Sequence, residues 1–501
     1  MTLFKDIFVI NIIFENYSFV RVECDDSTFF EMREYFSFKA DGYQFSPKFK
    51  CGVWSGDIFL LGYDRLLPFG LVSQAIKFAE QNDYKITVDP DVFKRENLSR
   101  REFDAWVESK EIYSGNTRIT PHWYQSDAVY EGICARRKIL NLPTSAGKSL
   151  IQALLSLWYL EHYKGKVLVI VPTTSLVTQM IDDFVDYRLF PREAMLGIKS
   201  GTAKDSNALI YVSTWQTAVK QKREWFNQFG CVMNDECHLA TGASIKKIIE
   251  SVDHVPFKYG LSGSLRDGKA NILQYVGMFG DIYRPVTTKQ LMDEGQVTDL
   301  NIKAVQLGYS DEDRHKVRKY TYDEEIKFIT KHGPRNRKLC QLAKGLADKG
   351  ENVFMMFRLT AHGKALHETL IKMGVNAHYI SGETDTEIRD QMKIMAEGGT
   401  GHVFVASYGV FSTGISIKNL HHIMFAHPVK SKVTVLQSIG RVLRKHKSKS
   451  IATVWDIIDD LGILNVHGKY TRQNYALKHA VERIERYVSE KFEYALHKLK
   501  L

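Results

Sequence analysis

The stretch Leu142-Pro143-Thr144-Ser145-Ala146-Gly147-Lys148-Ser149 joins a predicted strand, 138–142, to a predicted helix, 148–160. The backbone N–H groups of such a small-residue loop and of the helix N-terminus converge on one anion-binding site, where the helix dipole also favours negative charge. Lys148 can reach the β- and γ-phosphates of a nucleotide, and the Ser149 hydroxyl can hold Mg²⁺. The stretch predicts a phosphate-binding loop, although Leu142 stands where the G-x-x-x-x-G-K-[ST] pattern has its first glycine. The predicted nucleotide-binding residues are Pro143, Thr144, Ser145, Ala146, Gly147, Lys148 and Ser149.

Outward from this loop, apolar strands alternate with amphipathic helices from about residue 111, which is typical of βαβ units and a parallel sheet. The continuous apolar run 167–171 predicts a strand that is buried on both faces. Residues 208–213 predict another strand. The first is followed by Pro172-Thr173-Thr174-Ser175, whose hydroxyls can cap a helix. Loops after such strands lie at the carboxyl edge of the sheet, where ligands bind in open α/β folds.

Two adjacent carboxylates, Asp235 and Glu236, follow the predicted strand 231–234. Beside a phosphate loop, one carboxylate can orient Mg²⁺ and its waters, and the other can orient and activate the attacking water. We expect Asp235 to share the metal with Ser149, and Glu236 to be the catalytic base. The pair therefore favours nucleotide hydrolysis.

A second parallel α/β domain is predicted from renewed alternation over 352–426, and it lacks a phosphate loop of its own. It is followed by Gln437-Ser438-Ile439-Gly440-Arg441-Val442-Leu443-Arg444. On a helix, Arg441 and Arg444 are three apart and share a face, with Gln437 one turn before Arg441. Guanidinium groups supplied by another domain can stabilise the charge of phosphoryl transfer. We count these three residues as catalytic candidates.

Composition and charge limit the class of protein. With 501 residues, 44% hydrophobic and 25% charged, the chain is ordinary for a globular protein, and it has no apolar run of membrane-spanning length. The six cysteines form no C-x-x-C pair, which favours reduced thiols and a cytoplasmic protein. The formal charge of +10 is uneven, because residues 1–110 are net acidic whereas residues 429–501 carry +8. The basic excess predicts a polyanionic partner.

Four domains are expected. Residues 1–110 form a small aromatic-rich α/β domain, 111–285 the first parallel-sheet domain, 286–455 the second, and 456–501 a helical extension. In the extension, an apolar stripe at Leu477, Val481, Ile484, Val488 and Leu496 predicts a helix over 474–496 that packs on the core.

In their order and spacing, these stretches resemble the motif series of the superfamily 2 helicases and translocases over roughly residues 113–456. Tyr124-Gln125 is similar to the adenine-reading glutamine motif, 142–149 to motif I, and Asp235 to His238 to motif II. Residues 261–265 are similar to motif III and 437–444 to motif VI. There are three departures from the family pattern. His122-Trp123 stand where an Arg-Pro pair often precedes Tyr-Gln, Ser262-Gly263-Ser264 replace Thr-Ala-Thr or Ser-Ala-Thr, and Ser416 stands where an aspartate is common.

The resemblance implies two tandem RecA-like domains and an ATP hydrolase that uses ATP and Mg²⁺. It implies that Gln125, with Tyr124 beside it, reads adenine and that Arg441 and Arg444 are arginine fingers. The residues that it places near the nucleic-acid backbone are Thr173, Thr214 and Thr413.

In its length, its aromatic-rich amino-terminal domain and the sequences of its motifs, the chain further resembles a helicase family of T-even bacteriophages. That resemblance implies an ATP-dependent DNA helicase that acts on branched DNA and RNA–DNA hybrids in recombination, repair and replication control. We expect a monomer in the host-cell cytoplasm, with DNA as its partner and no membrane association.

Four alternatives remain open from the sequence. A duplex DNA translocase without strand separation and an RNA helicase share every motif. A nucleic-acid annealing or binding protein with a silent ATPase fold is less consistent with the intact Lys148, Asp235, Glu236 and Arg444 set. A phosphate-loop enzyme unrelated to nucleic acid would not need the second domain.

Overall fold

Two seven-stranded parallel sheets and a smaller four-stranded sheet organise the chain. The computed structural model describes residues 9–40, 42–199, 206–239, 243–265, 269–384, 386–413 and 417–501. Two compact units divide these residues, one holding those up to 142 together with 147–285, the other 143–146 and 286–501. None of the helices in the described ranges has the length and apolar character needed to cross a membrane.

The strands and helices follow one another along both units. The strands are β1 Val9–Phe14, β2 Phe19–Glu23, β3 Ser37–Lys39, β4 Asp57–Phe59, β5 Leu66–Pro68, β6 Lys85–Val88, β7 Ile112–Ser114, β8 Thr117–Ile119, β9 Arg137–Asn141, β10 Lys166–Val171, β11 Met195–Ile198, β12 Ile210–Thr214, β13 Phe229–Asp235, β14 Phe257–Ser262, β15 Ile282–Tyr283, β16 Asp299–Gly308, β17 Val353–Phe357, β18 Ala377–Ile380, β19 Val403–Ser407, β20 His422–Phe425, β21 Ile451–Asp460, β22 Ile463–Leu464, β23 Tyr470–Arg472 and β24 Tyr494–Lys500. The helices are α1 Asp26–Tyr35, α2 Pro47–Lys50, α3 Val72–Gln81, α4 Arg100–Glu108, α5 Trp123–Ala135, α6 Lys148–His162, α7 Thr174–Asp186, α8 Trp215–Ala218, α9 Arg223–Phe226, α10 Ala243–Ser251, α11 Lys269–Phe279, α12 Thr288–Asp293, α13 Asp311–Lys316, α14 Tyr322–Lys331, α15 Gly333–Ala347, α16 Thr360–Lys372, α17 Thr386–Gly398, α18 Tyr408–Thr413, α19 Lys432–Val442 and α20 Tyr475–Ser489.

The first unit contains the amino-terminal sheet, in the order β5-β2-β1-β6, and a parallel sheet in the order β11-β12-β10-β13-β14-β9-β15. The inner strands of the parallel sheet are buried on both faces, and Val167 to Val171 are all 0% exposed. Such strands read as continuous apolar runs, which is why the sequence identified β10. The strands β9, β10, β12 and β13 end at the carboxyl edge, where their following loops carry the predicted site residues of this unit.

Buried basic side chains join the amino-terminal sheet to the base of this parallel sheet. Lys258 is 0% exposed, and its Nζ donates to the Tyr17 carbonyl at 2.9 Å and to Ser18 Oγ at 2.8 Å. Arg137, its register partner on β9, donates to the same Tyr17 carbonyl. Burial, and then the charge of Arg137, lower the pKa of Lys258 well below its ordinary value. The turn at Tyr17 and Ser18 is therefore held by hydrogen bonds from two adjacent basic side chains.

The buried Lys258 predicts a stability that depends on pH. Because its pKa is lowered in the folded state, the unfolded chain binds more protons between that lowered pKa and about 10.4, so stability rises with pH through this window. Replacement Lys258→Met removes the titration. We expect the thermal midpoint of the wild type to rise relative to that of the variant as pH increases through this window. A difference between the two midpoints that stays constant with pH would contradict this reading of the site.

The second unit contains the other parallel sheet, in the order β18-β19-β17-β20-β21-β16-β24. Its carboxyl edge is held by buried ion pairs: Arg335 Nε lies 2.6 Å from Asp459 Oδ1, and Arg483 Nη2 lies 2.7 Å from Asp456 Oδ1. Buried pairs of this kind are tolerated when further hydrogen bonds satisfy both groups, as the Ala426 and Val429 carbonyls do for the two arginines. The two sheets confirm the expected tandem RecA-like architecture.

The carboxyl-terminal segment departs from its predicted helix over 474–496. Helix α20 ends at Ser489, and β24 pairs with β16 as the edge strand of the second sheet. The predicted apolar stripe is wrong in part, because Val481 and Val488 are 41% and 60% exposed and Leu496 lies on the exposed β24. The buried face of α20 instead carries Leu477, Ala480, Arg483 and Tyr487, with Arg483 and Tyr487 bound to Asp456.

Candidate nucleotide and nucleic-acid site

The phosphate loop follows β9, and α6 begins directly at Lys148. Leu142 is fully buried, and its N–H donates to the Ser262 carbonyl at 3.1 Å at the end of β14. Ser145 and Gly147 have left-handed backbones, with φ of 73° and 74°. The loop thus turns sharply between strand and helix. The buried position of Leu142 suits an apolar side chain in place of glycine.

Gln125 packs directly on the phosphate loop. It is 5% exposed, its Oε1 accepts from the His122 N–H at 2.9 Å, and a Cβ placed on Gly147 would lie 2.2 Å from its Nε2. A side chain at position 147 would therefore displace the Gln125 amide, apart from the strain of a positive φ. Tyr124 is 2% exposed and its ring stacks on His122. The structure places Gln125 beside the loop, and Tyr124 in the core behind it.

Ser149 is hydrogen-bonded to a tyrosine that follows α7. Its Oγ lies 2.7 Å from the Tyr187 hydroxyl. Burial raises the pKa of Tyr187 to about 12, so the phenol stays protonated at neutral pH. As a neutral hydroxyl, Tyr187 can donate to Ser149 and leave a serine lone pair available for a cation.

Asp235 ends β13 close to Lys148 and Gln152. The Gln152 Nε2 donates to Asp235 Oδ1 at 3.4 Å from one turn further along α6. Burial, then the adjacent Glu236 carboxylate, raise the pKa of Asp235 to about 7, while the charge of Lys148 acts in the opposite sense. Two neighbouring carboxylates with limited solvation form an environment that favours a cation.

Glu236 is joined to the loop after β14 through His238. It adopts a left-handed backbone with φ of 53°, which is uncommon for a non-glycine residue and is typical of functional turns. His238 Nδ1 lies 3.1 Å from Glu236 Oε2 and 3.0 Å from Ser262 Oγ. Ser262 Oγ in turn donates to the Ser264 carbonyl at 3.0 Å. A polar chain therefore runs from the predicted base to the Ser-Gly-Ser loop.

The threonines predicted near nucleic acid are placed differently from one another. Thr173 caps α7, with its Oγ1 3.0 Å from Ser175 Oγ, and is partly exposed. Thr214 caps α8, is 4% exposed and donates to Thr217 Oγ1 at 3.0 Å. The side chain of Thr413, at the end of α18, and the whole of Ser416 lie outside the described residues. The capping role expected of the 172–175 hydroxyls is confirmed for Thr173.

The predicted shared helical face of Arg441 and Arg444 is wrong. Helix α19 contains Gln437 and Arg441 but ends at Val442, and Arg444 lies in the bend that follows. The reason is that other groups bind the last carbonyls. Lys449 Nζ donates to the Val442 carbonyl at 2.6 Å, and the Thr298 N–H donates to the Leu443 carbonyl at 2.8 Å.

Lys449 also donates to the Leu420 carbonyl at 2.7 Å, which ties the end of α19 to the segment before β20. Burial lowers the pKa of Lys449 to about 7. A cation at the carboxyl end of a helix is favoured by the helix dipole, in opposition to that burial.

The oxygen donors in the first unit are suited to Mg²⁺. Mg²⁺ takes oxygen ligands and is usually held by one or two side chains together with waters and phosphates. Ser149 supplies a hydroxyl and Asp235 a carboxylate in a poorly solvated, negatively charged setting. Over the described ranges, no group of three or more His, Cys, Asp or Glu residues is arranged to hold a metal ion.

Two residues of this region, Gln152 and Tyr187, were not predicted from the sequence as parts of the site, and neither was the contact of Ser262 with His238. Gln152 lies four residues after Lys148 on one helix, so helical spacing could have indicated that it faces the same edge. Tyr187 contacts Ser149 from a position 38 residues away, and the contact of Ser262 with His238 spans 24 residues. No local pattern in the sequence predicts these two contacts.

Three family models match the chain in succession. Residues 9–89 match the DNA helicase UvsW N-terminal model, residues 118–266 match the type III restriction enzyme res subunit model, and residues 334–446 match the helicase conserved C-terminal domain model.

Full-length relatives agree with these models. The chain is 57% identical over 500 residues to the ATP-dependent DNA helicase uvsW of Enterobacteria phage T4, covering 98% of this chain and 100% of that protein. The crystal structure of T4 UvsW aligns with a TM-score of 0.54 at 56% identity, covering 98% of this chain and 99% of that one. A second T4 UvsW helicase crystal structure covers 55% of this chain and 99% of its own, with a TM-score of 0.53 at 60% identity. The chain therefore belongs to the UvsW family of ATP-dependent DNA helicases.

Proposed function

We propose that this enzyme couples ATP hydrolysis to the unwinding of branched DNA and of RNA–DNA hybrids, in recombination, repair and replication control. The observation that carries the proposal is the 57% identity to T4 UvsW along essentially the whole of both chains. The arrangement of the phosphate loop, Gln125 and the Asp235-Glu236 pair supports the ATPase half of this function.

In the proposed nucleotide site, residues 143–149 surround the phosphates, Lys148 binds the β- and γ-phosphates, and Gln125, with Tyr124 packed behind it, reads adenine. Ser149 and Asp235 would hold Mg²⁺, which when bound offsets negative charge on the phosphates. Glu236 orients the attacking water and accepts its proton, because its turn places the carboxylate at the sheet edge beside Asp235. His238 holds that carboxylate in place.

Residues of the second unit are proposed to complete hydrolysis. Arg441 and Arg444 stabilise the charge that develops on the transferring phosphoryl group, and Gln437, one helical turn before Arg441, assists them. Hydrolysis then depends on both parallel-sheet domains acting together, which is the physical basis for coupling it to movement along a strand.

We propose four functional domains, at 1–110, 111–285, 286–455 and 456–501, with Thr173, Thr214 and Thr413 near the nucleic-acid backbone. We also propose that the enzyme acts as a monomer in the host cytoplasm. Six free cysteines support a reducing compartment.

Strand displacement on a set of labelled substrates tests the proposed substrate class. We expect ATP-dependent displacement from forked DNA, four-way junctions and an RNA–DNA hybrid, and none by the Lys148→Ala variant, which should still bind DNA. Lys164→Ala, a lysine exchange beyond the end of α6, is the matched control. Displacement of duplex RNA alone would favour an RNA helicase. Triplex disruption without strand separation would favour a duplex translocase, and annealing without hydrolysis a silent ATPase.

A further inference from the structure

A groove of about 510 Å³ lies in the second unit, between the β22–β23 hairpin and the first turn of α20. We call it the hairpin groove. Its lining residues are Tyr470, Thr471, Arg472, Gln473, Tyr475 and Lys478. These are two aromatic rings, two cations and two neutral polar side chains, with no carboxylate among them.

The hairpin is locally well held. Asn465 Oδ1 accepts from the His467 and Lys469 N–H groups at 3.0 and 2.9 Å, and Thr471 Oγ1 donates to the Ile463 carbonyl at 3.1 Å. The Tyr470 hydroxyl donates to Asp460 at 2.8 Å, and its ring packs so closely on Gly462 that a Cβ there would lie 2.7 Å from it. One side of the Tyr470 ring is thus fixed, although the residue stays 40% exposed.

The other ring is placed by the start of α20. Glu325 accepts from the Tyr475 and Ala476 N–H groups at 3.0 and 2.8 Å, and the Tyr475 ring meets Tyr322 edge-on at 5.9 Å. Tyr475 is nevertheless 38% exposed. Tyr470 and Tyr475 are therefore each held in position by contacts with the protein, while part of each side chain remains exposed in the groove.

The cations of the groove are Arg472 and Lys478. Within the described part of the chain, neither Arg472 nor Lys478 forms a salt bridge with Asp or Glu, whereas nearby Arg314 is paired with Asp460 at 3.2 Å. The surrounding residues 429–501 carry a net charge of +8. A strand of phosphates complements such a surface, and exposed rings between cations provide stacking positions for bases.

We propose that the hairpin groove binds a single strand of nucleic acid, with Arg472 and Lys478 on its phosphates and Tyr470 and Tyr475 against its bases. This inference rests on the proposed function, because it assigns a further contact for the same substrate. Duplex DNA would engage the cations without the rings.

The test measures binding of a fluorescent oligothymidylate to the full-length enzyme as a function of salt. For single strands, each lost phosphate contact reduces the salt slope by about 0.7, so Arg472→Gln/Lys478→Gln should reduce it by about 1.4 and weaken binding about tenfold. The matched control Lys349→Gln/Lys372→Gln makes the same charge change at exposed lysines after α15 and at the end of α16, before β17 and β18. Its slope should stay that of the wild type.

A groove variant whose affinity and slope equal those of the control would overturn the inference while leaving the proposed function intact. No binding by the wild type would instead remove the proposed function and this inference with it.

The stacking contact has its own pair of variants. Tyr470→Phe keeps the ring and removes the hydrogen bond to Asp460, so it should bind like the wild type. Tyr470→Leu removes the ring and should weaken binding about 5- to 150-fold. Equal losses in both variants, at unchanged thermal midpoints, would show that the hydrogen bond rather than the ring matters, and would overturn the stacking contact.

Discussion

Replacing Arg441 and Arg444 together with alanine is expected to lower kcat for nucleic-acid-stimulated ATP hydrolysis by about 1,000- to 100,000-fold, the range measured for arginine fingers. The reason is that a guanidinium placed on the transferring phosphoryl group stabilises the transition state more than the bound ATP. The affinity for ATP should therefore fall far less than kcat. Single-turnover hydrolysis and equilibrium binding of a fluorescent ATP analogue separate the two effects.

The matched control for this pair is Arg318→Ala, an exposed arginine in the same unit that lies before α14. It should hydrolyse ATP like the wild type. The two single variants are also informative, since Arg441 lies on α19 and Arg444 beyond its end. A double variant that retains kcat within tenfold of the wild type would contradict the assignment of these arginines to hydrolysis.

The Glu236→Gln variant is expected to lower kcat by about 100- to 10,000-fold, the contribution typical of a general base. Glutamine keeps the size of the side chain and can still bond to His238, so the loop geometry should persist. Because the proposed ATP site is built on the phosphate loop instead, the variant should bind ATP and DNA as the wild type does. It should accumulate a stable complex with both.

Glu224→Gln, on the exposed surface of α9, makes the same chemical change away from the sheet edge and should leave kcat unchanged. Should Glu236→Gln hydrolyse ATP at the wild-type rate, another group must activate water. The base would then have to be sought among the other polar residues at this edge.

The phosphate loop and the first parallel sheet were largely predictable because their signals are local. The phosphate loop, the apolar run of β10 and the Asp235-Glu236 pair each lie within a few consecutive residues. A parallel strand that is buried on both faces is also apolar along its whole length, which makes it easy to recognise in a sequence. The order of these stretches along the chain then indicated which loops share one edge of the sheet.

The second unit was predicted less completely because tertiary contacts determine where its helices and strands begin and end. The final turn of α19 is closed by Lys449 and Thr298, which lie after the motif and far before it. Strand β24 is exposed along its whole length and carries no core-facing alternation, so only its pairing with β16 identifies it as a strand. Polar contacts such as Ser149 with Tyr187 likewise depend on packing.

The most direct test of a nucleic-acid-driven motor is the ATPase rate of the purified enzyme with and without single-stranded, duplex, forked, four-way and RNA–DNA hybrid substrates. We predict a low rate for the enzyme alone and a rise of at least about tenfold with branched substrates, because the proposed mechanism makes hydrolysis depend on both parallel-sheet domains. A rate that stays flat across every nucleic acid in the set would contradict the account.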